Sequence, residues 1–186
     1  FLLTPGESMT KLSDLVDKLV EFERLYDEDA LMKDMLPSIY AANEEKYKGY
    51  SIKRLCAEMH NFYKDRKVNI LQRRLFAKDY LPEYVMDPHE ASAELVRGHG
   101  ELVPLCEAQG RVALEGALPY PPGILCEQPG ERWSETATKY FLALEEGINM
   151  LPGFSPEIQG VYLEDTADGK KTAFGYVLKK EYEKTK

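Results

Sequence analysis

"DPHEASAELVRGHGELVPL", residues 87–105, holds the change of texture on which the fold turns. Asp87 stands as an N-cap, Pro88 enters at the first helical position with its φ already fixed, and Glu90 follows at the third, a compact start signal. The helix it opens runs to about Gly98. From Glu101 the chain reads differently: "ELVPL", "RVALEGAL" and "GILCEQP" are short strand-like runs separated by Gly or Pro.

Toward the N-terminus the pattern is helical. Residues 8–28 set Leu12, Leu15, Val16, Leu19, Val20, Phe22 and Leu25 close to i, i+3, i+4, i+7 spacing with charged residues between them, which predicts an amphipathic helix. A second helix begins near Asp29 and carries Leu31, Met32, Met35 and Leu36, with Pro37 ending or kinking it. Ser51 caps a third, whose apolar face is Ile52, Leu55, Cys56, Met59 and Phe62. "VNILQRRLFAKDYLPEY" allows one more short helix before Pro82.

Toward the C-terminus, Ser134 caps "ETATKYFLALEEGINM", a helix with Ala137, Tyr140, Phe141 and Leu144 facing inward. "EIQGVYLED" and "TAFGYVLKK" flank "TADGK", a D-G turn between two strands. The fold class expected is α+β: a helical first half followed by a small, mostly antiparallel sheet with a packed helix. No linker interrupts it, and the apolar helix faces are expected to be buried against the sheet.

The 186 residues are 44% hydrophobic, with 12 Tyr and 7 Phe, enough for a substantial core. A net charge of −8 argues against a large nucleic-acid footprint, which needs a clustered basic face. Cys56, Cys106 and Cys126 are widely spaced, with no C-x-x-C pair, so neither a disulfide framework nor a zinc site is indicated and a reducing cytoplasm fits best. No apolar run approaches membrane-spanning length, and no leader of signal type is present.

Residues 116–133, "GALPYPPGILCEQPGERW", concentrate proline and glycine within strand-like sequence. Pro121, Pro122 and Gly123 cannot continue a sheet ladder, so Tyr120 is expected to be extended and presented. An ordinary chain reversal would use the same residues.

Motifs for chemistry are otherwise absent. There is no G-x-S-x-G elbow, no His pair at i, i+4 and no G-x-G-x-x-G loop. His60 reads as a packing or surface residue, His89 belongs to a capping segment, and His99 is a loop residue between two glycines. Glu145-Glu146 and Asp27-Glu28-Asp29 read as solvated positions and not as paired acids for proton transfer. An acidic surface suits a small cationic substrate by long-range attraction.

"GRVALEGALPYPPGILCEQPGE", "YFLALEEGINMLPGF" and "PEIQGVYLE" resemble the C-terminal part of the bacterial ornithine/lysine/arginine decarboxylases. "FLLTPGES" and "GYSIKRLCAEMH" resemble the ornithine branch. The Y-P-P-G followed by P-G-E is the most specific element, and the P-G-F…G-V-Y pair the next. The resemblance implies a pyridoxal-phosphate enzyme of the aspartate-aminotransferase fold type that removes the α-carboxylate of a basic amino acid as carbon dioxide, giving putrescine from ornithine.

The family's cofactor lysine lies in an S-x-H-K motif, and none of the three histidines here is followed by Lys. The resemblance therefore implies that cofactor and catalytic lysine lie upstream of Phe1, with none of the cofactor site in this chain. It makes residues 1–28 the end of the preceding small subdomain and 29–186 the C-terminal domain. It implies as partners the upstream cofactor-binding domain of the same polypeptide, a homodimer or higher homo-oligomer, and a small basic amino acid, with no nucleic acid or membrane. "FLLTPGE", an apolar start without an initiator Met, reads as cut from inside a longer chain. Ile124-Leu125 and Ile158-Gln159 depart from the lysine branch and favour the ornithine branch. The expected substrate-side residues are Tyr120, Pro121, Pro122 and Gly123, in a loop that either narrows the active-site entrance or packs on the cofactor domain.

Overall fold

The computed structural model describes residues 4–120 and 123–183; the apolar opening at 1–3, the proline pair Pro121-Pro122 and residues 184–186 lie outside the described residues. The chain forms two compact units, Phe1–Asn61 and Phe62–Lys186. The division falls inside a helix, α5 (Ile52–Asp65), so no Pro- or Gly-rich linker marks it in the sequence.

In the first unit, Ser8 caps α1 (Met9–Asp27) by accepting from the Lys11 N–H at 3.3 Å. No residue of α1 is buried, and Val16 and Val20 are each 57% exposed. The expectation that this apolar face is covered is therefore corrected: spacing establishes that a face exists but not what lies on it. Pro37 ends α2 (Met32–Met35) and stands at the first position of α3 (Pro37–Ala42), since its ring fixes φ without costing a bond that a first turn would make. α4 (Glu44–Tyr47) follows, and Met32, Tyr47, Tyr50, Ile52 and Leu55 form the buried centre. Ser51 Oγ accepts from the Arg54 N–H at 3.4 Å, the expected cap of α5.

The second unit contains α6 (Val68–Leu75), α7 (Pro88–Val96), β1 (Gly100–Pro104), α8 (Leu105–Ala108), β2 (Leu118–Tyr120), α9 (Glu135–Met150), β3 (Glu157–Gln159), β4 (Tyr162–Asp165) and β5 (Lys171–Leu178). β1, β5 and β4 make an antiparallel sheet in that order, and β2 pairs antiparallel with β3. The D-G turn does join β4 to β5, with Gly169 at φ +77°. Ser134 caps α9, accepting from the Ala137 N–H at 3.0 Å, and Ala137, Tyr140, Phe141 and Leu144 are all buried.

β5 shows why one strand can serve two layers. Alternate residues point to opposite faces, so Ala173 and Val177 join Trp133, Phe141 and Leu105, while Tyr176 and Leu178 meet Ala91, Val112 and Leu114. Gly175 lies between these, where an added Cβ would sit 3.1 Å from Leu105 and 3.5 Å from Trp133.

Two local expectations need correction. "RVALEGAL" and "GILCEQP" form isolated bridges, Val112 with Arg132, Ala113 with Val177 and Ala117 with Glu127, and only Leu118–Tyr120 becomes a strand. Asp87 occupies the N-cap of α7, but its carboxylate accepts from the Tyr84 hydroxyl instead of a backbone N–H.

Candidate functional site

The Tyr120 loop is built from its neck outward. Gly116 and Gly160 approach so closely that β2 can lie beside β3, pairing Leu118 with Gln159, Pro119 with Ile158 and Tyr120 with Glu157. Across the neck, the Ala117 N–H donates to the Glu127 carbonyl at 2.9 Å, and the Ala117 carbonyl accepts from Cys126 at 2.9 Å and Glu127 at 3.3 Å. Farther out, the Gly123 N–H donates to the Pro119 carbonyl at 3.1 Å with Gly123 at φ +79°. The Tyr120 ring lies over that glycine, 2.9 Å from where a Cβ would be. A side chain there would be strained by both the backbone conformation and the ring.

Tyr120 is thus extended at a strand end and 51% exposed, with Ile124 and Leu125 exposed beside it. The loop offers water an apolar tip on a backbone-bonded base. Pro121 and Pro122, expected to share this tip, lie outside the described residues.

Glu127, at the neck, is fully buried, and neither carboxyl oxygen has a hydrogen-bond partner. Burial, then the like charge of Glu131, pushes its carboxyl up to about 8. Sequence reasoning passed over it, because a single Glu in a Pro/Gly-rich loop looks solvated. The P-G-E element that follows is fixed by Gly130, whose carbonyl accepts from Val85 at 2.9 Å and Met86 at 3.1 Å. A Cβ on Gly130 would lie 2.1 Å from the Met86 oxygen.

Of the histidines, His99 is held in place by its neighbours. His99 stacks on Tyr182 with ring centroids 3.8 Å apart, and its Nδ1 lies 2.5 Å from Glu94 Oε2. His60 and His89 are exposed. The paired acids are also committed: Glu145 accepts from the Ala173 N–H at 2.7 Å, Glu146 pairs with Arg66, and Glu28 pairs with Arg24 at 2.8 Å. Among the described residues no group of three His, Cys, Asp or Glu is placed to hold a metal ion, and no helix is long and apolar enough to cross a membrane.

A cavity of about 750 Å³ in the second unit is lined by residues that include Glu83, Glu94, His99, Arg132, Tyr182 and Glu183. Its charges answer one another. Arg132 lies 3.3 Å from Glu83 and 3.0 Å from Glu183, and Glu94 is shared between Arg97 and His99. This lining does not fit pyridoxal phosphate: Glu83, Glu90, Glu94 and Glu183 face only Arg132, Lys180 and His99, and a wall with that excess of carboxylates repels a phosphate.

Residues 69–179 match the family model described as Orn/Lys/Arg decarboxylase, C-terminal domain. The chain is 59% identical over 178 residues to an ornithine decarboxylase of Haemophilus influenzae, covering 96% of this chain and 25% of that protein. It is 53% identical over 184 residues to the inducible ornithine decarboxylase of Lactobacillus sp. strain 30a, covering 99% of this chain and 25% of that protein. Among solved structures, lysine decarboxylase A from Pseudomonas aeruginosa superposes with a TM-score of 0.85 at 34% identity, over 96% of this chain and 24% of that one. The chain thus spans about a quarter of the length of the relatives it matches. With its glycine-set loop, its β2–β3 pairing and its helix-backed sheet, the chain belongs to the Orn/Lys/Arg decarboxylase family and corresponds to that family's C-terminal domain.

Proposed function

We propose that this chain is the C-terminal domain of a pyridoxal-phosphate-dependent ornithine decarboxylase, cytoplasmic, converting L-ornithine to putrescine and carbon dioxide and inactive alone. The observation that carries the reading is a contrast in identity: 50 to 59% to four ornithine decarboxylases against 34 to 36% to four lysine decarboxylases. When bound, the cofactor supplies the electron sink for carboxylate loss, and on this reading its lysine and phosphate site belong to the rest of the polypeptide.

The role left to this chain is positional. Tyr120, Pro121, Pro122 and Gly123 form the outer wall of the substrate pocket, and their stiffness lowers the entropy lost when a small flexible amino acid is held. Residues 1–28 end the preceding small subdomain and 29–186 make the C-terminal domain. The exposed apolar face of α1 supports burial against the upstream cofactor-binding domain or within a homo-oligomer, since a row of exposed Val and Leu is what a covered helix shows when its cover is taken away.

The test is carbon dioxide release from ornithine, lysine and arginine in parallel, by the intact cofactor-loaded polypeptide and by the 186-residue chain. Preference for ornithine by the intact protein and silence from the chain are expected. Preference for lysine or arginine would move the domain to another branch, and no release from any of the three would leave a non-catalytic binding module.

A further inference from the structure

The loop that presents Tyr120 is fastened at its neck by three backbone hydrogen bonds, each between Ala117 and either Cys126 or Glu127. One of those residues carries an acid with nowhere to put a charge. The Glu127 side chain is fully buried, and neither oxygen has a donor in full hydrogen-bond geometry; the Ser134 backbone N–H is near enough to act on the carboxyl but too poorly placed to close a bond. Besides burial, the groups that act on it are Glu131, of like charge, and the Ser134 backbone N–H, while the neighbouring Cys126 thiol is itself pushed up to about 11 by burial and by Glu127. Only the Ser134 N–H favours an anion, and no Lys or Arg is among them.

An ionised carboxylate in such a place must be neutralised or must move to water. We propose that the proton on Glu127 is a latch: protonated, the side chain stays inside and the neck holds the Tyr120 loop closed; deprotonated, it swings toward solvent and pulls its backbone off Ala117. The proton goes to bulk water and no other bond changes. Opening the neck exposes the carboxyl, which then ionises at its ordinary value near 4.5, whereas inside it holds its proton up to about 8. Opening is therefore favoured progressively as pH rises between those limits and levels above the upper one.

The meaning of the latch for substrate rests on the reading of Tyr120 as a pocket-wall residue, but the latch itself does not. Its test is amide hydrogen exchange on the full polypeptide, followed in peptides covering residues 113–131 and corrected for intrinsic base catalysis. Wild-type protection at the neck is expected to fall about tenfold per pH unit from pH 5 to 8 and then level, while Glu127→Gln, which has no proton to lose, gives a flat profile. A flat wild-type profile overturns the latch however the variants fold, as does an equal slope in Glu127→Gln. Should Glu127→Gln fold poorly, Glu131→Gln decides: removing the like charge must lower the pH at which protection levels, and an unmoved profile overturns the latch. Because exchange needs no substrate, failure of the decarboxylation test leaves this outcome readable.

Discussion

Gly160 runs against the backbone of Gly116, so close that a Cβ on Gly160 would lie 2.1 Å from the Gly116 carbonyl oxygen and 2.8 Å from its carbon. Gly160 also sits at φ +72°, a conformation that L side chains avoid. The contact joins two stretches far apart in sequence, the G-V-Y segment and the residues that lead into β2, and it makes Gly160 the position that must stay bare for β2 and β3 to pair.

Gly160→Ala is accordingly expected to destabilise the second unit by on the order of 3 kcal/mol, from overlap plus backbone strain. Gly169, also at positive φ but with nothing within 4 Å of its Cβ position, is the control; Gly169→Ala is expected to cost about 1 kcal/mol. Denaturant unfolding of both variants checks this, and equal losses would show that the Gly116 contact does not matter.

Arg111 tests a different kind of fastening. Its guanidinium, mostly buried, donates to Glu101 at 2.5 Å and to the Leu178 carbonyl at 2.7 Å, tying the bridge segment to both β1 and the end of β5. Arg111→Ala is expected to cost about 2 to 4 kcal/mol, because the partners are left partly desolvated. Arg111→Lys should recover only part of that, since both bonds leave one nitrogen, Nη2, at the end of a side chain longer than lysine's, and the shorter stem does not carry an ammonium to the same point. Thermal unfolding of the pair is the measurement, and full recovery by Lys would reduce the role to simple charge.

These contacts show what was legible in the sequence and what was not. Ser51, Ser134, Pro37 and the Asp168-Gly169 turn act locally, within a few residues of the backbone groups they serve, and local chemistry is written in local sequence. The Tyr120 loop was legible for the same reason: single prolines such as Pro104 and Pro119 do sit in strands, but a proline pair followed by glycine offers a ladder no successive N–H donors. Glu127 was not. Its backbone is held by Ala117, across the neck of the loop, and that pairing and the burial that goes with it are tertiary facts that the residues next to 127 do not state. The bare face of α1 lies at the other extreme, since periodicity describes the helix alone and its cover is a tertiary matter.

The pH dependence of stability follows from Glu127. Folding holds its proton up to about 8, against an ordinary value near 4.5, so the unfolded chain binds fewer protons across that window. Stability due to this group is therefore full below about pH 4.5 and falls by about 1.4 kcal/mol per unit as pH rises toward 8. Denaturant titrations at pH 5.5, 6.5 and 7.5 should show this slope in the difference between wild type and Glu127→Gln. A difference that stays constant with pH would mean that Glu127 is ionised in the folded state.

Tyr120 separates a pocket wall from a packing contact. Its ring rests on Gly123 and is half exposed within this chain, so Tyr120→Ala removes little buried surface from the second unit and should change its stability by less than about 1 kcal/mol. On the proposed reading, the same substitution in the intact polypeptide is expected to raise KM for ornithine about tenfold, a loss of about 1.4 kcal/mol of substrate binding, with a smaller effect on kcat. Unchanged kinetics together with a lowered Tm would assign the loop to packing alone.

The α1 face supplies the last test, because it predicts opposite outcomes in two contexts. Val16 and Val20 are exposed here, so replacing both by Glu should leave the unfolding free energy of the 186-residue chain within about 0.5 kcal/mol of wild type per site. If the face is covered by the cofactor-binding domain or by a second copy, the same pair buries two unpaired carboxylates in the intact protein, which cannot be accommodated without losing the contact. The double variant is then expected to run as a smaller species on light scattering or to lose cofactor-loaded activity, while its isolated chain unfolds normally. An intact protein that keeps both its mass and its activity would leave this face solvent-exposed in the native assembly and remove the main structural support for its proposed cover.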